Sequence, residues 1–211
     1  MIVVYIVLDD VRETVFARRP IECAPKIYQP RLAGMTSLAA RARTAAGLWL
    51  LGEGLKMSGR SITTLDGLGF APSGRPELAT GPYFSISHSV SLVACALSER
   101  YPVGLDVEAR RNDISPRLQH AIAPEGNFFD AWCAREATVK ATGRVGLARI
   151  RQIALQDSIA WLDNRAWRIE PLSLVEGYAS CLAYASGPER LADDVRRFDC
   201  SDRLSINRVR G

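Results

Sequence analysis

The sequence predicts an α+β chain of two similar lobes, residues 1–102 and 103–211. Three observations predict it. Short apolar runs of strand length alternate with longer stretches in which apolar residues recur at helical spacing. A chain of 211 residues is long enough for two lobes of about 100 residues each. The segment GYASCLAYASG at 177–187 echoes SVSLVACALSE at 89–99. Both are small-residue strands late in their halves, a sign of internal duplication.

Taken in order, Ile2 to Leu8 is a β-branched apolar run stopped by Asp9 and Asp10, and reads as a buried strand. Arg18 to Pro30 holds three prolines and reads as loop. Leu32 to Leu55 is the first clear helix, with Thr36 or Ser37 as cap. Leu38, Ala42, Ala45 and Trp49 repeat along it, and Gly52 and Gly54 are expected to close it. Thr63 to Pro82 is rich in Gly, Pro and Ser and reads as loops around a Gly74-Arg75-Pro76 turn. Phe84 to Leu97 reads as a hairpin in which Phe84, Ile86 and His88 alternate with Ser85 and Ser87. Beyond residue 150, strands are expected at Ile153–Leu155, Ser158–Leu162, Ala166–Ile169 and Tyr178–Tyr184. Leu191 to Gly211 is charged and mixed, a last strand or helix with a loose tail.

Composition bounds the function. Hydrophobic residues make up 47% and charged residues 24%, so a packed core is expected. The net charge of +4 suits an anionic ligand or an acidic partner. It lacks the dense basic stripe of a nucleic-acid binder. Five cysteines (Cys23, Cys95, Cys133, Cys181, Cys200) form no CxxC pair, which argues against a disulfide frame or zinc site and for a reducing, cytoplasmic setting. No apolar run approaches the roughly 18 residues of a membrane span, and no secretory signal is expected.

Two stretches carry chemistry. In FFDAWCAREATVKATG, 128–143, Trp132, Glu136 and Lys140 fall at i, i+4 and i+8 and line one side of a helix, with Phe129 and Val139 on the buried flanks. Glu136 and Lys140 alone are also the spacing of an exposed ion pair worth a few tenths of a kcal/mol, about 0.2–0.5. In YPVGLDVEARR, 101–111, alternation along a strand sends Leu105 and Val107 one way and Asp106 and Glu108 the other. Neighbouring carboxylates repel unless water or a cation screens them. A hard dication such as Mg²⁺ is the natural partner, with Glu136 as a third ligand; two ordinary acids on a solvated strand edge are the other reading.

Together these residues resemble a known family. Gly104-Leu105-Asp106-Val107-Glu108 followed by Trp132-x-x-Arg135-Glu136-Ala137-x-x-Lys140 resembles the two signature blocks of the 4′-phosphopantetheinyl transferases, G-I/V-D-I/V/L-E and W-x-x-K-E-A/S-x-x-K. GRVGL at 143–147 resembles the G-x-G-L segment that follows, with one residue more. Upstream, FSISHS at 84–89 resembles F-N-I/L-S-H-S, and Gly74-Arg75-Pro76 resembles G-K/R-P. Ordered blocks from position 74 to 147 are together far more specific than any one. The length resembles the monomeric, two-lobed, surfactin-synthetase-activating branch.

The resemblance implies a pseudo-dimer of two α/β lobes with the active site in the cleft between them. It implies transfer of the 4′-phosphopantetheine arm of coenzyme A to a serine of an apo acyl or peptidyl carrier protein, in secondary metabolite biosynthesis. Mg²⁺ would be held by Asp106, Glu108 and Glu136; Glu136, Lys140 and Asp106 would be catalytic. Arg75, Pro76, Ser87 and His88 would bind coenzyme A, and Arg41 or Arg43 would hold its 3′-phosphate, unless these arginines are ordinary solvated side chains. Arg135 stands where the family usually has Lys. The family's segment between the two blocks is longer, and it helps dock the carrier; here only 109–131 remains, with 120–126 as a remnant. Two other readings stay open: a coenzyme A-binding protein without catalysis, and a protein that only docks carriers.

Overall fold

The computed structural model describes residues 1–144, 147–185 and 195–204. The first half runs β1 (Ile2–Val7), α1 (Asp10–Ala17), α2 (Gln29–Ala33), α3 (Leu38–Met57), β2 (Leu68–Phe70), β3 (Pro76–Leu78), β4 (Tyr83–Ser89) and β5 (Leu92–Ser98). The second runs β6 (Val103–Ala109), α4 (Pro116–Ile122), α5 (Phe128–Ala141), α6 (Leu147–Ile150), β7 (Ala154–Gln156), β8 (Ile159–Leu162), β9 (Arg165–Pro171), β10 (Tyr178–Ala185) and β11 (Arg196–Asp199). The fold is α+β.

Two sheets organise it. One has the strand order β11-β1-β5-β4, the other β6-β10-β9-β8-β7. The two echoing sequences become β5 and β10, each flanked on both sides within its own sheet. Each sheet is covered by one long helix. Leu50, Leu51 and Leu55 of α3 are buried with Val4, Ile6 and Val93 of the first sheet. Phe129, Cys133 and Val139 of α5 are buried with Ala179, Cys181 and Trp167 of the second. Between the sheets lies a third cluster, in which Val3, Leu92 and Ala94 meet Leu105, Val107 and Leu182. The alternation expected along β6 therefore holds: Leu105 and Val107 enter this shared core, and Asp106 turns toward α5.

Four local readings change. The Leu32–Leu55 stretch is two helices: α2 ends at Ala33, and Ser37 caps α3 by accepting from the Ala40 N–H at 3.3 Å. Gly52 and Gly54 lie inside α3, not at its end. A Cβ at Gly52 would come within 2.7 Å of Ile62 Cδ1, and one at Gly54 within 2.3 Å of Leu97 Cδ1. These glycines admit close packing, and the helix continues to Met57. Asp9, read only as a strand stop, also caps α1, accepting from the Arg12 N–H at 2.8 Å. The Gly74-Arg75-Pro76 turn closes a small β2–β3 hairpin within the stretch read as loop.

The four strands expected after residue 150 all form. Of the GRVGL segment, Val145 and Gly146 lie outside the described residues, as do 186–194 and 205–211. In the last stretch β11 pairs parallel with β1, Ile2 opposite Arg196. No helix among the described residues is long and apolar enough to cross a membrane. The five cysteines are free thiols, with Cys23 exposed and the others buried.

Candidate active site

The site forms where β6, α5 and β4 meet. Helix α5 begins at Asn127, whose side chain accepts from the N–H groups of Phe129 and Asp130 at 2.9 and 3.4 Å. It ends before Gly143, whose φ of +72° suits a residue without a Cβ. It rests directly on Gly104: a Cβ there would lie 2.0 Å from the Ala137 carbonyl oxygen. Glycine at this position lets the helix backbone approach the strand and brings Lys140 down onto Asp106.

Asp106 is 4% exposed. The Lys140 Nζ donates to its Oδ1 at 2.6 Å and to Ser87 Oγ at 3.0 Å, and Ser87 Oγ donates to the same Oδ1 at 2.9 Å. The other oxygen, Oδ2, is buried and accepts no hydrogen bond among the described residues. Burial first, then the Asp106 charge, pushes up the neighbouring Cys133 thiol. Glu108 accepts from Ser89 Oγ at 2.8 Å. Burial raises the Glu108 carboxyl above the usual range; the Ser89 bond opposes this and the Asp106 charge adds to it. Glu136 is likewise raised, by burial first; Lys140 lowers it, and Asp106 and Glu108 raise it. The three predicted carboxylates thus feel one another's charge.

Among the described residues no group of three or more His, Cys, Asp or Glu side chains stands arranged to hold a metal ion. The donor set nevertheless fits a hard dication. It is all carboxylate oxygen, one buried oxygen is orphaned among the described residues, and burial first, then neighbouring carboxylate charge, raises Glu108 and Glu136. In this structure the cation on Asp106 is Lys140.

Beside this group a cavity of about 290 Å³ opens between α3, β4 and the end of α5. Arg31, Arg43, Arg75, Lys140 and Arg144 line it together with His88, and no acidic side chain among the described residues does. Pro76 lines it too. Arg75 donates to the carbonyls of Phe84 at 3.2 Å and Val103 at 3.1 Å, so its guanidinium bridges the two halves of the chain. His88 keeps solvent contact within the cleft, yet the surrounding protein, and next the Arg43 charge, lower its pKa below the ordinary 6.5.

Lys140 contacts Asp106; Glu108 and Glu136 lie near enough to feel the Asp106 charge; and Arg43, Arg75, Pro76 and His88 line the adjoining cavity. Two predicted ligand-binding residues do not join them. Ser87 lies on the opposite face of β4 from His88, 5% exposed, with its hydroxyl committed to Asp106 and Lys140. Its hydroxyl therefore meets β6 and α5, while His88 lines the cavity. Arg41 lines a separate, largely apolar cavity of about 200 Å³ beside Phe16 and Trp49, and donates to the Arg19 carbonyl at 3.4 Å. Trp132 packs on Phe128 with ring centroids 5.7 Å apart, in keeping with a packing role.

Sequence reasoning missed Tyr28, Phe70 and Arg144 as cavity residues. Tyr28 and Phe70 are an aromatic pair, centroids 5.3 Å apart. Their separation in sequence hides them, because only the β2–β3 hairpin brings Phe70 to Tyr28.

An α+β chain with a cationic cleft, backed by clustered carboxylates and one lysine, defines a class suited to binding a polyanion such as a diphosphate. No protein-family model matches the chain. It is similar to two curated proteins. A Haemophilus influenzae protein, named "Putative 4'-phosphopantetheinyl transferase", is 32% identical over 130 residues, 52% of this chain and 55% of its own length. A Synechocystis protein of the same description is 26% identical over 137 residues, 51% of this chain and 56% of its own. The chain spans about half the length of the curated relatives it matches.

Proposed function

We propose that this chain is a 4′-phosphopantetheinyl transferase of the two-lobed branch, acting on coenzyme A and an apo acyl or peptidyl carrier protein. The observation that carries the reading is the Lys140–Asp106–Ser87 contact, at 2.6 to 3.0 Å, beside a cavity walled by arginines.

Coenzyme A carries a diphosphate and a 3′-phosphate, and the cavity offers cations for both. Arg31 and Arg43 would take the 3′-phosphate, the planar guanidinium fork matching phosphate oxygens. The Tyr28–Phe70 pair would face the adenine. His88 and Lys140 would face the diphosphate, where Lys140 stabilises developing charge.

The carrier's serine hydroxyl would attack the β-phosphorus. A new P–O bond forms to serine, the bond to the bridging oxygen breaks, and 3′,5′-adenosine bisphosphate leaves. Glu136 would receive the serine proton; burial raises its pKa, which makes it a better base at neutral pH. Asp106, Glu108 and Glu136 would hold Mg²⁺, which supplies Lewis-acid charge neutralisation at the phosphates when bound.

The test is mass spectrometry of an apo carrier protein incubated with coenzyme A and Mg²⁺. Wild type should add one phosphopantetheine arm; Asp106→Ala and Glu136→Ala should add none while keeping the wild-type circular dichroism. Full transfer by both variants would refute the assignment. The absence of a ready-made three-carboxylate cage among the described residues favours a second reading, coenzyme A binding without transfer. Calorimetry would then show coenzyme A binding by a chain that leaves the apo carrier protein unmodified.

A further inference from the structure

We infer that Ser87 and Ser89 are positioning residues: from β4 their hydroxyls reach across the seam between the two sheets and fix how Asp106 and Glu108 are presented. The inference rests on the proposed reaction for its use, and on geometry for its existence.

Strand β4 is the edge of one sheet and β6 the edge of the other, and no backbone ladder joins them. Edge amides need partners. Here they are serine oxygens at every second residue. Ser85 Oγ accepts from the Leu105 N–H at 3.0 Å, Ser87 Oγ from Val107 at 3.3 Å, and Ser89 Oγ from Ala109 at 3.1 Å. The register advances by two on both strands, so the rungs form a regular side-chain ladder.

Two rungs do more. Ser87 also donates to Asp106 and Ser89 to Glu108, at 2.9 and 2.8 Å. Ser87 further accepts from Lys140, which uses both acceptor lone pairs and its single proton. Each of these hydroxyls is anchored by a main-chain N–H of the strand whose carboxylate it holds. That anchoring removes the freedom of an ordinary serine rotor. The Ser85 hydroxyl makes the backbone contact and no carboxylate contact among the described residues, so nature supplies the control within the same ladder.

The experiment compares Ser85→Ala, Ser87→Ala, Ser89→Ala and Ser89→Thr in the full chain. Amide exchange should speed up at Leu105, Val107 and Ala109 respectively in the three alanine variants, by roughly fivefold or more for loss of a hydrogen bond. Mn²⁺ alone, followed by electron paramagnetic resonance, should bind Ser87→Ala and Ser89→Ala roughly 10–100-fold more weakly, as expected when a ligand's hydrogen-bond partner is removed. Ser85→Ala should keep wild-type Mn²⁺ affinity despite its lost amide protection. Ser89→Thr should restore both readouts, since it keeps the hydroxyl and suits a strand. In the transfer assay Ser89→Ala should need more Mg²⁺ yet regain kcat when Mg²⁺ saturates. Unchanged Mn²⁺ affinity in both Ser87→Ala and Ser89→Ala would overturn the positioning role alone. Wild type failing to bind Mn²⁺, with the ladder amides still protected, would instead overturn the metal part of the proposed reaction and the positioning role with it.

Discussion

Asp106 is a buried carboxylate with one oxygen held by Lys140 and Ser87 and the other by nothing described. Such a group depends on its cation. Lys140→Met should therefore destabilise the protein by about 3 kcal/mol, measured by chemical denaturation, because it strands a desolvated charge. The double variant Lys140→Met with Asp106→Asn should recover part of that loss; strict additivity would mean that the pair contributes no coupling. His88 gives a pH signature. Its folded pKa is depressed, by burial and then by Arg43, so the unfolded chain protonates first as pH falls. Its contribution to stability is present above the unfolded value and is lost as pH drops through the folded one. His88→Gln should flatten the dependence of Tm on pH across that window, modestly, since the ring keeps solvent contact. At this scale the sequence was legible for the nearness of Lys140 to Asp106, because spacing on helix and strand is geometric. It set Ser87 beside His88 as a ligand-binding residue; the strand puts the two on opposite faces, and sequence alone does not say which face meets the ligand. Arg41 and Arg43 show the same limit: two residues apart on a helix, they point into different cavities.

At the scale of elements, α5 and β6 form one functional unit through Gly104. Any side chain there meets the Ala137 carbonyl oxygen and the Ala141 nitrogen, backbone atoms that cannot step aside. Gly104→Ala should lower stability by about 1–3 kcal/mol or more through overpacking, seen as a drop in Tm. It should also impair transfer, because lifting α5 withdraws Lys140 and Glu136 from Asp106 together. A variant with wild-type Tm and activity would show that the contact relaxes at no cost. Strands in the second half were readable because apolar alternation and polar turns agree locally. Helix α1 was not: its eight residues carry little apolar periodicity, and its Asp9 cap looks the same as a strand terminator. The glycines in α3 misled for a related reason, since a glycine that ends a helix and one that admits Leu97 read alike until the partner is known.

The whole molecule is more tightly joined than two lobes on a linker. Val3, Leu92, Ala94 and Ala96 of the first sheet share a core with Val103, Leu105 and Leu182 of the second. A fragment of residues 1–102 would expose that face and leave both β1 without β11 and β4 without its seam. It is expected to elute from size exclusion as oligomers or aggregates; a monodisperse, cooperatively melting fragment would contradict the shared core. The 89–99 and 177–187 echo was legible as two strands, β5 and β10, but the shared core was not, because burial on both faces of β5 requires knowing what lies beyond the first sheet. Strand β11 adds a consequence in time. A ribosome releases Ile2 well before Arg196, yet the two residues end up side by side. The first sheet therefore emerges with a vacant margin beside β1 until β11 follows, and in that interval the nascent chain must keep the margin from other polypeptides.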